Sequence, residues 1–373
     1  MTRHKLRFAA SGLVMFFLAA PLSGFEPLPR ADPSTTGIDP VALQNAVAAF
    51  ADVEGAWAIV VVRQGAVVAE HHVVSPPDSL HPVWSVTKSL TSTAMGMAMH
   101  EGVFADEDVR LVDHLPPGLV PPEPVKSLIT LRHLLTMTSG LGWSEDHDWL
   151  TWLASADPAR FILERDLTSW PGAEFNYSSA SSHLPSLMLA TSSAEGLDEF
   201  MQRKLFQPLG ISEWLWDADP QGYAFGGHGV HLRTEDLAKL GVLFLSDGLW
   251  SGQTVVPAAW VSRAVKPQFF WNETYGPLDD LDYGYLWWTG VAADNPVYLA
   301  WGWGGQFVFC VPDLELVVAT AADGMVWSAQ AEYQELAILD IIVNTLMPAV
   351  PNATVFSDSF ESGDTTWWTV SVP

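Results

Sequence analysis

Hydrophobic and polar positions alternate in two rhythms along this chain. PVALQNAVAAFAD, from Pro40, repeats its apolar residues at helical spacing and predicts a helix. AWAIVVVRQGAVVAEHHVV, from Ala56, is two β-rich runs around Arg63-Gln64-Gly65 and predicts a hairpin. HPVWSVTKSLTSTAMGMAMHEG, from His81, is small or apolar on nearly every side, which predicts an internal helix rather than a surface one. From about residue 105 to 280, loops and helices mix in a stretch rich in Pro, Trp and Asp. The β rhythm returns from Asp282 in YGYLWWTG, NPVYLAWGW and GQFVFCVPDLELVVAT, and SAQAEYQELAILDIIVNTLM closes in helical spacing. Strands near both ends with a helical insert between them predict an α+β sandwich. In it, an antiparallel sheet is flanked by terminal helices and joined to a mostly helical region.

The ends of the chain break both rhythms. MTRHKLR is basic and FAASGLVMFFLAA is apolar but shorter than the ~20 residues of a membrane span, so residues 1–24 read as an export signal, periplasmic or secretory. Residues 25–39, rich in Pro, Gly and Ser, read as a linker, and 40–348 as the folded body. Residues 349–373 follow a Pro-rich break and read as a tail. Asp358, Glu361 and Asp364 in that tail lack the spacing of a calcium loop. No later stretch has the length and apolarity of a membrane span, and the oligomeric state is open at this level.

The 373 residues carry a formal net charge of −26, which repels phosphate backbones and anionic lipid and sets nucleic acid aside as a partner. The single cysteine, Cys310, excludes an internal disulfide; it lies in the apolar run QFVFCVP and reads as a buried, inert thiol.

Candidate chemistry begins where a charge interrupts burial. Lys88 is the only charge between His81 and His100, and it lies three residues after Ser85. On a helix the two share a face. Burial and the positive helix end both disfavour an ammonium, so Lys88 can serve as the neutral base that a serine nucleophile needs. In PGAEFNYSSASSHL, Tyr177 can join that proton network, and Gly302, Gly304 and Gly305 at a strand end let a substrate approach backbone N–H groups. His228 and His231 form an H-x-x-H pair in a Gly-rich run with nothing nearby to complete a metal site. No G-x-S-x-G occurs, which argues against an α/β-hydrolase.

WSVTKS, LRHLLTMTSGLGWSED, WPGAEFNYSS, LFQPLGI, GGHGVHLRTEDLAKLGVLFLSDGLW, YGYLWW and AWGWGGQFVFCVPD occur in this order, and over residues 40–345 the chain resembles the serine β-lactamase-related hydrolases. That family includes class C β-lactamases, DD-peptidases, family VIII esterases and 6-aminohexanoate-oligomer hydrolases, and the likeness is strongest to the last. The resemblance implies a β-lactamase/transpeptidase-like fold, Ser85 as nucleophile, Lys88 as general base, and Tyr177 as the first residue of a Tyr-x-Asn element. It sets Ala300-Trp301-Gly302 in the place of a Lys-Thr-Gly strand, with Trp303-Gly304-Gly305 as the alternative register. The backbone N–H groups of Ser85 and Trp303 then form the oxyanion pair. No metal or organic cofactor is implied.

Two positions depart from the pattern. Ser179 stands where β-lactamases and DD-peptidases have Asn, and Ala300 where they have Lys or His. Both changes weaken the case for β-lactam or cell-wall peptide substrates and leave the acylating residues in place. Among the 18 tryptophans, Trp84, Trp143, Trp287, Trp288, Trp301 and Trp303 fall near the motifs, and two or three of them lining the cleft would favour an apolar substrate; His147, with Asp148, is a candidate for its rim. Ser179, Ala300, Trp301, Gly302, Gly305, Trp143 and His147 thus form the expected substrate-binding set. The expected function is an exported serine hydrolase cleaving esters or amides of small or oligomeric apolar molecules. A β-lactamase or DD-peptidase, and a non-catalytic sensor or scaffold, are the alternatives.

Overall fold

The computed structural model describes residues 26–121 and 123–350. The expected export signal, and the tail beyond residue 350 with Asp358, Glu361 and Asp364, lie outside the described residues. Eight strands form one sheet: β1 Ala56–Arg63, β2 Ala66–His72, β3 Phe269–Tyr275, β4 Leu278–Tyr283, β5 Trp288–Ala292, β6 Asn295–Gly302, β7 Gln306–Val311 and β8 Leu316–Ala322. Their order is β2-β1-β8-β7-β6-β5-β4-β3, antiparallel throughout. The β1–β2 hairpin turns at Gln64 and Gly65, both at positive φ, and β1 pairs with β8, closing the two ends of the chain into one sheet.

Period-two alternation divides the sheet between two cores. Ile59, Val61, Leu299, Phe307 and Phe309 pack under the terminal helices α1 (Pro40–Ala51) and α5 (Ser328–Asp340). Val60, Val62, Ala300, Val308 and Ala319 face the helical region, with α2 (Val86–His100) and α4 (Thr234–Leu245). A strand covered on both faces needs no polar side, which explains the unbroken run of valines in β1. A shorter helix, α3 (Glu145–Leu153), belongs to the same region.

The structure differs from the sequence reading in three places. β3 and β4 are strands inside the stretch read as loops and helices. β3 is a sheet edge whose residues 270–274 are exposed, so FFWNETY carries no alternating burial signal. The segment read as a linker is packed down: Leu28 and Ile38 are buried, and Arg30 pairs with Glu70 and Glu235. The body also runs on through Ala349 and Val350, both in the core.

Helix α2 is buried from Val86 to Ala98. Its hydroxyls are what make a buried helix of this composition workable. Ser89 Oγ donates to Leu286 O at 2.7 Å and Thr91 Oγ1 to Gly226 O at 2.8 Å, so its side chains satisfy the carbonyls of surrounding loops. Gly96 is needed because a Cβ there would fall 2.2 Å from the Trp260 ring. Among the described residues no helix is long and apolar enough to cross a membrane.

Candidate active site

Ser85 sits at the N-cap of α2, and its side chain makes no capping bond. Its hydroxyl is therefore not spent on the helix. The preceding Trp84 has φ 47°, an unusual conformation for a bulky residue and a sign of local strain held by its surroundings. Gly324 is part of that hold, because a Cβ there would lie 2.0 Å from Trp84 Nε1.

Lys88, one turn on, is buried at 1% exposure, while Ser85 remains partly exposed. A substrate can reach the hydroxyl but not the amine behind it. Lys88 Nζ donates to Ser85 Oγ at 2.7 Å, Ser179 Oγ at 2.8 Å and Gly227 O at 2.9 Å. None of these acceptors is a carboxylate. Burial pushes the amine down to about 8, with the nearby Glu145 charge acting in the opposite direction. Once neutral, the amine can keep two of these bonds as donor and accept the Ser85 proton in the third.

The Tyr177 hydroxyl hydrogen-bonds Ser85, and the Lys88 ammonium lies 4.7 Å from the Tyr177 ring centre. Burial and the Glu145 charge hold the phenol well above its ordinary range, so it is neutral here. Asn176 fixes this loop by donating from its backbone N–H to Met137 O at 2.8 Å and from Nδ2 to Trp143 O at 3.1 Å.

Two participants were not expected from sequence. Glu145, the first residue of α3, accepts the Ser179 N–H at 2.5 Å and holds the loop whose hydroxyl touches Lys88. In SEDHDW it looks like one more solvated acid. Gly227 offers a backbone carbonyl, which has no residue signature of its own. Its signal is indirect: a Cβ at Gly227 would lie 2.4 Å from Ser179 O, so only glycine lets that loop come so close.

Trp303 follows β6 in a turn through Gly304 and Gly305, both at positive φ. No backbone acceptor among the described residues takes the N–H of Trp303 or of Ser85. Gly302 brings the two turns together, since a Cβ there would lie 2.3 Å from Val83 O.

The remaining expected substrate contacts part company with this cluster. Ala300 is buried in the core that faces the helical region. Trp301 points to the opposite face, against Tyr275, Trp288 and Phe307. At Gly305 a Cβ would meet Ile338 of α5 at 2.6 Å, so this glycine serves helix packing. Trp143 is a core residue edge-on to Trp152. His147 is exposed and bonded to Ser144 Oγ at 2.8 Å, with no described contact to Ser85, Lys88 or Tyr177.

Of the tryptophans near the motifs, Trp288 borders the site, together with aromatics that the sequence did not single out. Tyr177 stacks on Trp288 at 5.8 Å, and Phe175 on Trp271 at 5.9 Å, with Phe270 and Trp271 exposed on the edge strand. His228, beside Gly227, is enclosed by Trp149, Trp152 and Phe225. Burial and the Lys88 charge lower its imidazole to about 3. His231 lies 3.6 Å from Asp217, and among the described residues no three metal-capable side chains cluster.

A layered sheet with a serine hydroxyl set on a buried amine is an arrangement that fits a serine hydrolase. The beta-lactamase family model matches residues 43–342, and the chain belongs to that family of serine hydrolases. It is 26% identical over 269 residues to the 6-aminohexanoate-dimer hydrolase of Paenarthrobacter ureafaciens. The match covers 63% of this chain and 65% of that one, so the chain spans about two thirds of the length of this relative. Among solved structures, EstCE1, a hydrolase with promiscuous acyltransferase activity, aligns with TM-score 0.64 at 16% identity over 81% of this chain and 97% of its own. A penicillin binding protein from Bacillus halodurans aligns with TM-score 0.63 at 17% identity over 80% and 98%. At these identities the structural matches establish the β-lactamase/transpeptidase-like fold.

Proposed function

We propose that this protein hydrolyses esters or amides through a covalent acyl-enzyme on Ser85. Lys88 takes the Ser85 proton as the oxygen attacks the substrate carbonyl. The resulting oxyanion is held between the N–H groups of Ser85 and Trp303. Tyr177, neutral and bonded to Ser85, relays a proton to the leaving group, which departs as alcohol or amine. Water then attacks the acyl carbon and gives a proton to Lys88, which passes it to Ser85 Oγ as the acyl–oxygen bond breaks and the acid leaves. The observation that carries this reading is the 2.7 Å contact between Ser85 Oγ and a buried amine with no carboxylate among its hydrogen-bond partners.

The substrate is small or oligomeric and apolar, by two arguments. Ala300 and Ser179 supply neither the cation nor the amide that a β-lactam or cell-wall peptide would meet. The Tyr177–Trp288 and Phe175–Trp271 stacks give the site an aromatic border. The Paenarthrobacter relative is named a 6-aminohexanoate-dimer hydrolase, which supports a small or oligomeric substrate. The basic and then apolar leader supports export.

The test is hydrolysis of a nitrophenyl ester together with intact-mass detection of a fluorophosphonate adduct. Wild type should turn over the ester and gain one adduct, and Ser85→Ala should do neither. An adduct retained in Ser85→Ala would refute the assignment. Turnover of a chromogenic cephalosporin as fast as that of the ester would move the substrate class to β-lactams.

A further inference from the structure

Helix α5 covers the face of the sheet away from α2, yet it sends two consecutive polar side chains inward. Gln334 is fully buried and Glu335 nearly so. Glu335 Oε1 accepts the Gly304 N–H at 2.8 Å, and Gln334 Nε2 donates to Gly304 O at 2.8 Å. The residue after Trp303 is thereby held at both its N–H and its C=O. Trp303 O in turn accepts from Gln306 Nε2 at 3.3 Å. The Trp303–Gly304 peptide is fixed at both polar atoms. With Gly302 locked in register opposite Gln306, the direction of the Trp303 N–H follows. Gln334 Nε2 also donates to Asp323 O at 2.9 Å, and the adjoining Gly324 braces Trp84, the neighbour of Ser85. One pair of side chains supports both turns that supply the oxyanion donors.

We propose that Glu335, with Gln334, is a positioning residue for the reaction: it aims the Trp303 N–H at the oxyanion from the far side of the sheet. This rests on the acyl-transfer reading above. Glu335 touches no reacting atom. Its second oxygen accepts from Tyr275 Oη at 3.2 Å, and the Trp301 side chain donates to the same carboxylate. As a carboxylate, Glu335 is an acceptor for all three donors; protonated, it has to direct its own O–H at one of them, and the clamp loosens. Burial raises this carboxyl to about 7, opposed by its hydrogen bonds and assisted by Glu332 on the same helix. The ionisable groups around it are Tyr275 from β3, Glu332 from α5 and, at longer range, Tyr177.

The experiment uses the full chain. Ester kcat and KM, and the rate of fluorophosphonate labelling, are followed over about pH 5–9 for wild type, Glu335→Gln and Tyr275→Phe, with a thermal melt of each. Wild-type kcat/KM should show a rise near pH 7 in addition to the one near 8 from Lys88. Glu335→Gln should lose the lower rise and drop about ten- to a hundredfold in kcat, the scale of a misplaced oxyanion donor, with KM within about twofold. If Glu335→Gln does not fold, Tyr275→Phe decides. Loss of one donor to the carboxylate should move the lower rise to higher pH, and an unmoved rise overturns the proposal. Glu335→Gln with wild-type kcat and both rises overturns it while leaving the acyl-transfer reading intact. A wild type that labels nowhere at Ser85 removes both.

Discussion

Helices α2 and α4 each carry a buried lysine three residues after a polar side chain, near the helix start. In α2 the pair is Ser85 and Lys88; in α4 it is Asp236 and Lys239, with Nζ and Oδ1 2.8 Å apart. The two amines are equally hidden from water and pack on the same face of the sheet. What separates them is the chemistry of the partner. A carboxylate makes an ion pair, which holds a helix in place and has no proton to give. A hydroxyl offers a proton and no compensating charge, so burial lowers the proton affinity of Lys88, as the proposed role of base requires. In the proposed mechanism the same i, i+3 geometry is reactive in α2, while in α4 it forms an ion pair. A third buried lysine, Lys126, follows the structural pattern, 3.3 Å from Glu123.

The comparison breaks most sharply at the hydroxyl. Ser85→Ala should lower kcat for ester hydrolysis on the order of a millionfold, the scale seen when an activated serine is removed, with an unchanged melting temperature. A residual rate within about a hundredfold of wild type would mean that Ser85 is not the nucleophile. Next comes the amine. Lys88→Met keeps the hydrocarbon bulk and removes the base, and should cost about 10³–10⁴ in kcat. The cost of burying an ammonium goes while Ser179 Oγ and Gly227 O lose a donor, so stability should change by no more than about 1–2 kcal/mol. A fall in melting temperature as large as that of Lys239→Met would make Lys88 a structural residue like the other.

Lys239→Met should behave in the opposite way. It leaves Asp236 in the core without its ion-pair partner, and breaking such a pair costs about 3–5 kcal/mol. The carboxyl of Asp236 is already pushed up by burial and drawn down by Lys239, so without the lysine it moves further up. The folded fraction should keep kcat within about twofold. Thermal melts and ester kinetics on the same preparations separate the two lysines: one variant loses rate and keeps stability, the other loses stability and keeps rate.

This contrast also marks what the sequence could reveal. The Ser85–Lys88 contact was readable because α2 is small or apolar on nearly every side and a lone charge stands out against it. The β1–β2 hairpin and the terminal helices were readable because their periodicity is regular. Glu145 was hidden in a run of acids, where a charge is no signal. Gly227 was hidden because its contribution is a carbonyl. Edge strand β3 was hidden because one exposed ladder needs no apolar alternation. The segment around Leu28 and Ile38 has the composition of a linker, and its anchoring by Arg30 to Glu235 is a contact between residues 205 apart in sequence. The expectations taken from family position divide in the same way. Where the expectation concerns backbone, Gly302 packs on Val83, two residues before Ser85, and sets the Trp303 turn near the start of α2. Ala300, Trp301 and Gly305 depend on which way a side chain or a bare Cα faces, and there local packing decides.

The smallest expected effect is the most specific to the comparison, because it concerns the proton itself. Folding lowers the Lys88 amine from its ordinary value of 10.5 to about 8. Below pH 8 both folded and unfolded chains hold this proton, and the folded state bears the full cost of a buried ammonium. Between about 8 and 10.5 the unfolded chain binds the proton and the folded chain does not, so stability rises with pH through that window. Activity should rise over the lower part of the same window, with kcat/KM for a neutral ester climbing through about pH 8. Lys88→Met contributes no such term. The difference in melting temperature between wild type and Lys88→Met should therefore shift in favour of wild type as the pH is raised from below 8 toward 10. Other groups titrate in this range as well, but they are common to both proteins and cancel in the difference. A difference that stays flat across the window would mean that Lys88 keeps its proton in the folded state, and Ser85 would then need another base.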